Sequence, residues 1–394
     1  MNVENIKNCF GCGLCAVVCA KKVIDIQLSI DGFYEPVFVN PDACTNCGLC
    51  VDVCSYQDTE LALTERTITS YGAWSNDTEV RGKCSSGGVA FELGRLLLSK
   101  GYKVLGVKYD PNKEIVLHYI AENERELEAS IGSKYIQSYT LDAFKQIDRK
   151  SKYLVTGSPC QIDSFRRYIK KLCCEDNFVL MDFFCHGVPS MLMWNKYLAD
   201  MKAKHGIIDN IVWRNKKTGW HDSWSMNAYV GDKELQASLF SKGDAFYRLF
   251  LGDGCLGCAC YDKCKFKYDQ SSADIRIGDA WGTYYSKNEK GVNAVVTFTN
   301  KGESLLHECN VELDSQPFSV IAESQMKKPP LRIRENESLM TTLKDVNAPL
   351  SDAIALMDKH DAHERLLYKV DFFIHPLKTV SRIIYRIKMM LGKV

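Results

Sequence analysis

Residues 9–19 read Cys9-Phe-Gly-Cys12-Gly-Leu-Cys15-Ala-Val-Val-Cys19, and residues 44–54 read Cys44-Thr-Asn-Cys47-Gly-Leu-Cys50-Val-Asp-Val-Cys54. Both runs are C-x2-C-x2-C-x3-C, a spacing that suits iron-sulfur ligation. The first three thiolates of a run can wrap one face of a four-iron cube, while the fourth, expected to start a helix, points at the other cube. One 4Fe-4S cluster is therefore expected on Cys9, Cys12, Cys15 and Cys54, and a second on Cys44, Cys47, Cys50 and Cys19. Zinc competes for C-x2-C pairs, but zinc sites rarely repeat a four-cysteine run. Disulfides fit less well in a thiol-rich chain for which no signal peptide is expected.

The paired runs resemble those of bacterial two-cluster ferredoxins. The proline that usually follows the fourth cysteine is replaced by Ala20 and Ser55, which is expected to loosen the local geometry without removing a ligand. Between the runs, Val23, Ile24 and Ile26, then Asp31-Gly32, then Tyr34, Val37 and Val39 read as a hairpin. At 394 residues the chain is too long for one ordinary core. Fifty basic residues against forty-nine acidic ones give a net charge of +1, so nothing argues for a nucleic-acid partner. No apolar run approaches the roughly 20 residues that span a bilayer. A cytoplasmic location in an organism that keeps oxygen low is expected.

The fold class expected is a multidomain α+β and α/β chain. Residues 1–58 form a double 4Fe-4S ferredoxin domain and 59–71 a polar linker. Residues 72–205 form an α/β part with a mainly parallel sheet, and 206–330 a second part with another cysteine group. Residues 331–394 form a helical tail. The tail's end carries Leu377, Val380, Ile384, Ile387 and Leu391 at helical spacing, with Lys378, Arg382 and Arg386 on another face. Such a helix commonly packs, and it also permits peripheral contact with the inner membrane face.

Three turns, each opening a helix, carry the remaining chemistry. Ser85-Ser86-Gly87-Gly88 opens a helix and could cradle a phosphate, although such a turn is ordinary as a cap. Gly157-Ser158-Pro159-Cys160-Gln161 and Cys185-His186-Gly187-Val188-Pro189-Ser190 each set a cysteine at the carboxyl end of a strand, where α/β sheets bind ligands. Cys160 and Cys185 read singly as buried small residues. With Cys255, Cys258, Cys260 and Cys264 they offer enough thiols for a third 4Fe-4S cluster. Cys84, Cys173, Cys174 and Cys309 have no partner at ligand spacing and read as structural.

These motifs, with Ser133-Lys134-Tyr135-Ile136-Gln137-Ser138, Cys260-Tyr261-Asp262-Lys263-Cys264-Lys265-Phe266 and Asp274-Ile275-Arg276-Ile277-Gly278-Asp279-Ala280-Trp281-Gly282, resemble the beta subunits of coenzyme F420 hydrogenases and dehydrogenases. The resemblance spans Ser85 to Trp281 and is nearest to members with a fused N-terminal double ferredoxin, often encoded among bacterial polysaccharide genes. It implies noncovalent FAD, with Ser85, Ser86, Gly87, Gly88, Lys134, Gln137, Gly157, Ser158, Gln161 and His186 as cofactor-binding candidates. It also implies a nearby cluster, for which Cys160, Cys185, Cys260 and Cys264 are the ligand candidates. Lys134 and Gln137 would reach flavin phosphate or ring atoms. Arg214, Lys216 and Lys217 read either as an anion site or as solvated turn charges.

The function expected is that of an iron-sulfur flavoprotein oxidoreductase. A hydride carrier such as coenzyme F420 or a nicotinamide moves electrons in pairs, a 4Fe-4S cluster moves them singly, and FAD joins the two. The far side would serve a soluble ferredoxin or a partner redox enzyme, in support of polysaccharide biosynthesis. The alternative is a non-catalytic electron-transfer subunit.

Overall fold

The computed structural model describes residues 2–374; the expected amphipathic stretch from Leu377 to Leu391 lies outside them. At the N-terminus, helices Leu14–Val18 and Leu49–Asp52 pack beside an antiparallel hairpin of β1 (Ile24–Leu28) and β2 (Tyr34–Phe38). Each helix is entered through a glycine in the left-handed region, Gly13 at φ 80° and Gly48 at φ 81°. Glycine adopts that conformation without steric cost, so each helix begins between the second and third cysteine of its run. The fourth cysteines consequently do not start helices: Cys19 caps the end of the first, and Cys54 lies beyond the second. The hairpin turn is anchored, since Gly32 O accepts from Met191 N at 2.9 Å and Asp31 O from Ser190 Oγ at 2.6 Å.

The remaining strands are β3 (Thr69–Ser75), β4 (Lys103–Asp110), β5 (Ile115–Ala121), β6 (Ser138–Tyr139), β7 (Tyr153–Thr156), β8 (Phe178–Phe183), β9 (Asn210–Arg214), β10 (Trp224–Val230), β11 (Lys233–Leu239), β12 (Ile275–Asp279), β13 (Asn293–Thr297) and β14 (Val311–Ser315). Nine of them form one sheet in the order β14-β3-β13-β12-β8-β7-β4-β5-β6, and β11-β10-β9 form a small one. The fold is thus mixed α/β, with a ferredoxin-like N-terminal segment and a helical C-terminal region. The sheet is less parallel than its motifs implied. Only its centre, β12-β8-β7-β4, and the edge pair β5-β6 are parallel, whereas β13, β3, β14 and the β4-β5 pair run antiparallel. A parallel neighbour needs a crossover of a dozen or so residues. The chain makes one between β7 and β8 through helix Pro159–Lys171, but β4 reaches β5 through a tight turn.

The stretch expected to be a polar linker is pinned down. Ala62 N donates to Asp163 Oδ1 at 2.7 Å, Lys265 Nζ donates to Glu60 O at 2.7 Å, and β3 already begins at Thr69. Toward the C-terminus, Leu350–Ile374 packs on Ala245–Leu251, where Arg248 pairs with Asp358 and Asp361 at 2.8 and 3.0 Å. No described helix is long and apolar enough to cross a membrane.

Candidate functional site

Cys9, Cys12, Cys15 and Cys54 line one small cavity of about 20 Å³, closed otherwise by apolar side chains such as Val3, Phe10 and Ile26. Burial pushes all four thiols up, Cys54 to about 11, and neighbouring thiols add to the push at Cys9, Cys15 and Cys54. Thiols so placed give up their protons readily only to a cation that replaces them. The other set shows the same crossing: Cys50 is raised by burial first, and then by Cys47 and Cys19. Each run's fourth cysteine therefore faces the other run's thiols. Among the described residues, no three Cys, His, Asp or Glu side chains converge on a single ion's position. A four-iron cube takes one thiolate at each corner, so the donor set fits it.

A further group of thiols adjoins the first. Cys160 stands in the first turn of Pro159–Lys171, Cys185 just past β8, Cys260 within helix Cys258–Asp262 and Cys264 just after that helix. Burial drives Cys160 well up, and Cys185, Cys260 and Cys12 then act on it. Cys260 is pushed up to about 12 by burial, with Cys185 and Cys264 contributing. Burial also raises Cys185, against which Lys267 acts. The buried Lys267 ammonium donates to Cys185 O and His186 O at 2.6 and 2.7 Å, fixing the loop that carries the thiol. Cys255 points into another core, beside Trp194 and Phe250, while Cys258 is half-buried.

Beside Cys185 opens a cavity of about 500 Å³. The sheet supplies its floor through Val104, Leu154, Met181 and Ile277, because parallel strands end here and their loops turn outward. Ser85, Ser86, Gly88, Lys134, Gln137, Gly157, Ser158, Gln161 and His186 all line it, as does Cys185. Gly87 lies beneath: a Cβ there would meet Ala73 O at 2.3 Å, so glycine lets the turn rest on β3. Several of the polar atoms already have partners. Gln161 Oε1 accepts Ser158 N at 2.8 Å in a capping box, and Gln137 Oε1 accepts Tyr34 N at 2.9 Å. Burial pushes Lys134 down to about 7, and its Nζ donates to the carbonyls of Ser130 and Ile131, both at 3.0 Å.

Other wall residues carried weak signals or none. Arg214 pairs with Asp279 at 2.6 Å and sits over the Trp224 and Trp281 rings. Its neighbours Lys216 and Lys217 turn elsewhere, to Ser86 O and to Glu234. His186 Nε2 lies 2.8 Å from Asp253 Oδ1, without hydrogen-bond alignment. His118 stays neutral, lowered to about 4 by burial, and shares a 3.0 Å hydrogen bond with Thr156 O. Phe10 lines both cavities and packs among Cys160, Cys264 and Phe266. An aromatic residue inside a cysteine run gives no sequence cue to that position.

Comparison with known proteins matches two parts of the chain. Residues 8–57 match the 4Fe-4S dicluster domain, and residues 150–318 match the C-terminal part of the family described as "Coenzyme F420 hydrogenase/dehydrogenase, beta subunit". No curated protein matches. Among solved structures, the xenon-derivatized F420-reducing NiFe hydrogenase complex from Methanosarcina barkeri is similar at 17% identity over 78% of this chain and 94% of that one, with a TM-score of 0.46. That likeness is too distant to bear on function. The chain thus joins an iron-sulfur dicluster domain at residues 8–57 to a segment, residues 150–318, that is similar to the C-terminal part of the coenzyme F420 hydrogenase/dehydrogenase beta subunits.

Proposed function

We propose that the protein is an iron-sulfur flavoprotein oxidoreductase that exchanges a hydride with a soluble carrier such as coenzyme F420 or a nicotinamide, and single electrons with a ferredoxin or partner redox enzyme. One observation carries the reading: Cys185 lines the large cavity, Cys160 lies near both Cys185 and Cys12 of the small cavity, and Phe10 lines both. A cavity of about 500 Å³ falls within the range of cofactor sites. FAD bound there supplies a centre able to take electrons in pairs and pass them on singly.

The chain's own residues do the rest. The turn Ser85–Gly88, at the amino end of helix Val89–Ser99, offers phosphate the positive end of the helix dipole, although Val89 N already donates to Asn293 Oδ1 at 3.1 Å. Arg214, held by Asp279 and Ser223, fixes the charge at one wall. Phe184 and Phe250 make the wall beside Cys185 and His186 apolar. Lys267 holds Cys185 in place and favours its ionised form. We assign the cluster ligands as two crossed sets, Cys9, Cys12, Cys15, Cys54 and Cys44, Cys47, Cys50, Cys19, with a third set Cys160, Cys185, Cys260, Cys264. A cytoplasmic role in polysaccharide biosynthesis is part of the proposal.

Iron, sulfide and flavin measured together in anaerobically purified protein test it. About twelve irons per chain and one flavin are expected, and Cys160→Ser with Cys264→Ser should leave about eight irons. Reconstituted protein with iron-sulfur spectra and no flavin refutes the reading. Full assembly without carrier turnover from an artificial one-electron donor makes the chain a pure electron-transfer subunit.

A further inference from the structure

The proline expected after Cys54 is replaced by Ser55, and the structure gives the serine a use. Ser55 N donates to Ser164 Oγ at 3.1 Å, a bond no proline could make, and Ser55 Oγ donates to Cys160 O at 3.1 Å. Ser164 Oγ lies 3.3 Å from Cys12 Sγ and 2.9 Å from Ser55 Oγ. Both serines are buried, Ser55 at 2% exposure and Ser164 at 0%, so no solvent competes for their hydroxyls. Ser164 stands four residues after Cys160 on helix Pro159–Lys171, on the same face. Two hydroxyls and one amide thus join a thiol of the dicluster segment to the backbone of a thiol in the neighbouring group.

The proton count decides the direction. Each hydroxyl has one proton. Ser55 spends its own on Cys160 O, and Ser164 already accepts the Ser55 amide. As a thiol, Cys12 Sγ donates to Ser164 Oγ, and the Ser164 proton goes to Ser55 Oγ. A cluster-bound Cys12 sulfur has no proton and can only accept, so the one Ser164 proton turns from Ser55 to that sulfur. Asp163, the neighbouring acid, is engaged elsewhere, by Ala62 N and Ser272 Oγ.

We infer that Ser164, held in place by Ser55, is a positioning residue whose hydroxyl donates to the Cys12 sulfur and raises the reduction potential of the cluster on Cys9, Cys12, Cys15 and Cys54. This rests on the cluster assignment proposed above. Hydrogen bonds to ligand sulfur stabilise the more negative, reduced state, which sets the sign. The same bridge holds Cys12 and Cys160 in fixed register, so one element sets both the potential and the spacing of neighbouring centres.

The test is a redox titration of the whole chain followed by electron paramagnetic resonance. Ser164→Ala should keep wild-type iron and sulfide. At a fixed potential, the reduced-to-oxidised ratio of one N-terminal cluster should fall roughly three- to tenfold, tenfold being about 59 mV for one electron. Ser55→Ala, which keeps the amide, should leave that ratio near wild type. A fully assembled Ser164→Ala that titrates as wild type overturns the inference, as does an equal shift of both N-terminal signals. If Ser164→Ala does not assemble, wild-type protein exchanged into D2O decides. Gly11 N already donates to Cys9 Sγ at 3.3 Å, so a second solvent-exchangeable proton coupled to that reduced cluster supports the contact, and its absence overturns it. Wild-type protein that assembles no N-terminal clusters instead refutes the assignment beneath.

Discussion

Replacing Arg276 by methionine should unhinge the floor of the cavity. Arg276 is fully buried, and its Nε and terminal nitrogen meet the two oxygens of Asp182 at 2.7 Å each. Its third nitrogen donates to Phe266 O and Tyr268 O at 3.2 and 2.9 Å, tying β12 and β8 to the segment between Cys264 and the sheet. Without the guanidinium, Asp182 keeps only the Ser271 hydroxyl at 2.7 Å. Removing one partner of a buried pair costs about 3–5 kcal/mol, a large share of the about 5–15 kcal/mol that holds a protein folded. At about 2 °C per kcal/mol, the melting midpoint at fixed scan rate should drop by roughly 6 °C or more. The pH dependence has a definite sign. Burial already raises the Asp182 carboxyl, and losing Arg276 raises it further, so the folded variant binds a proton more tightly than the unfolded chain does. Its deficit should therefore shrink as pH falls toward about 4, the unfolded value. Adding Asp182→Asn removes the stranded charge and should recover much of the loss at pH 7. Arg276→Met melting within about 2 °C of wild type, or a double variant no more stable than the single one, refutes this account.

Three further outcomes are expected. Wild-type stability should fall as pH drops from 6.5 toward about 4, because the unfolded chain protonates His118 before the folded one does. The His118→Phe deficit relative to wild type should narrow over that window by about 3 kcal/mol, measured by denaturant titration at each pH. Gly87→Ala would set a methyl 2.3 Å from Ala73 O and 2.8 Å from Asn293 N, backbone atoms that cannot swing away. It should cost about 1–3 kcal/mol and loosen flavin retention on a desalting column. Cys54→Ser should abolish the same paramagnetic signal as Cys9→Ser, with a loss of about four irons, whereas Cys47→Ser should abolish the other. If Cys54 shares its signal with Cys47, the clusters are not crossed.

The cysteine spacing by itself identified the dicluster segment, because ligation to a four-iron cube fixes which residues must be cysteine and how far apart. Short strand-helix units were also legible, since periodicity and glycine stops are local: Pro159–Lys171 follows the turn at Gly157-Ser158, and Val89–Ser99 begins behind Gly88. The sense of the sheet was not legible. Whether β13 and β3 run with or against their neighbours depends on which edge remains open when the chain returns, over separations of some two hundred residues. The same limit hid the joints of the site. Ser55 looked like a loosened ferredoxin position, yet its amide is 3.1 Å from a hydroxyl 109 residues away, and Phe10 reached two cavities at once. Local chemistry chose the ligands; only packing between distant segments placed one set of thiols beside the next.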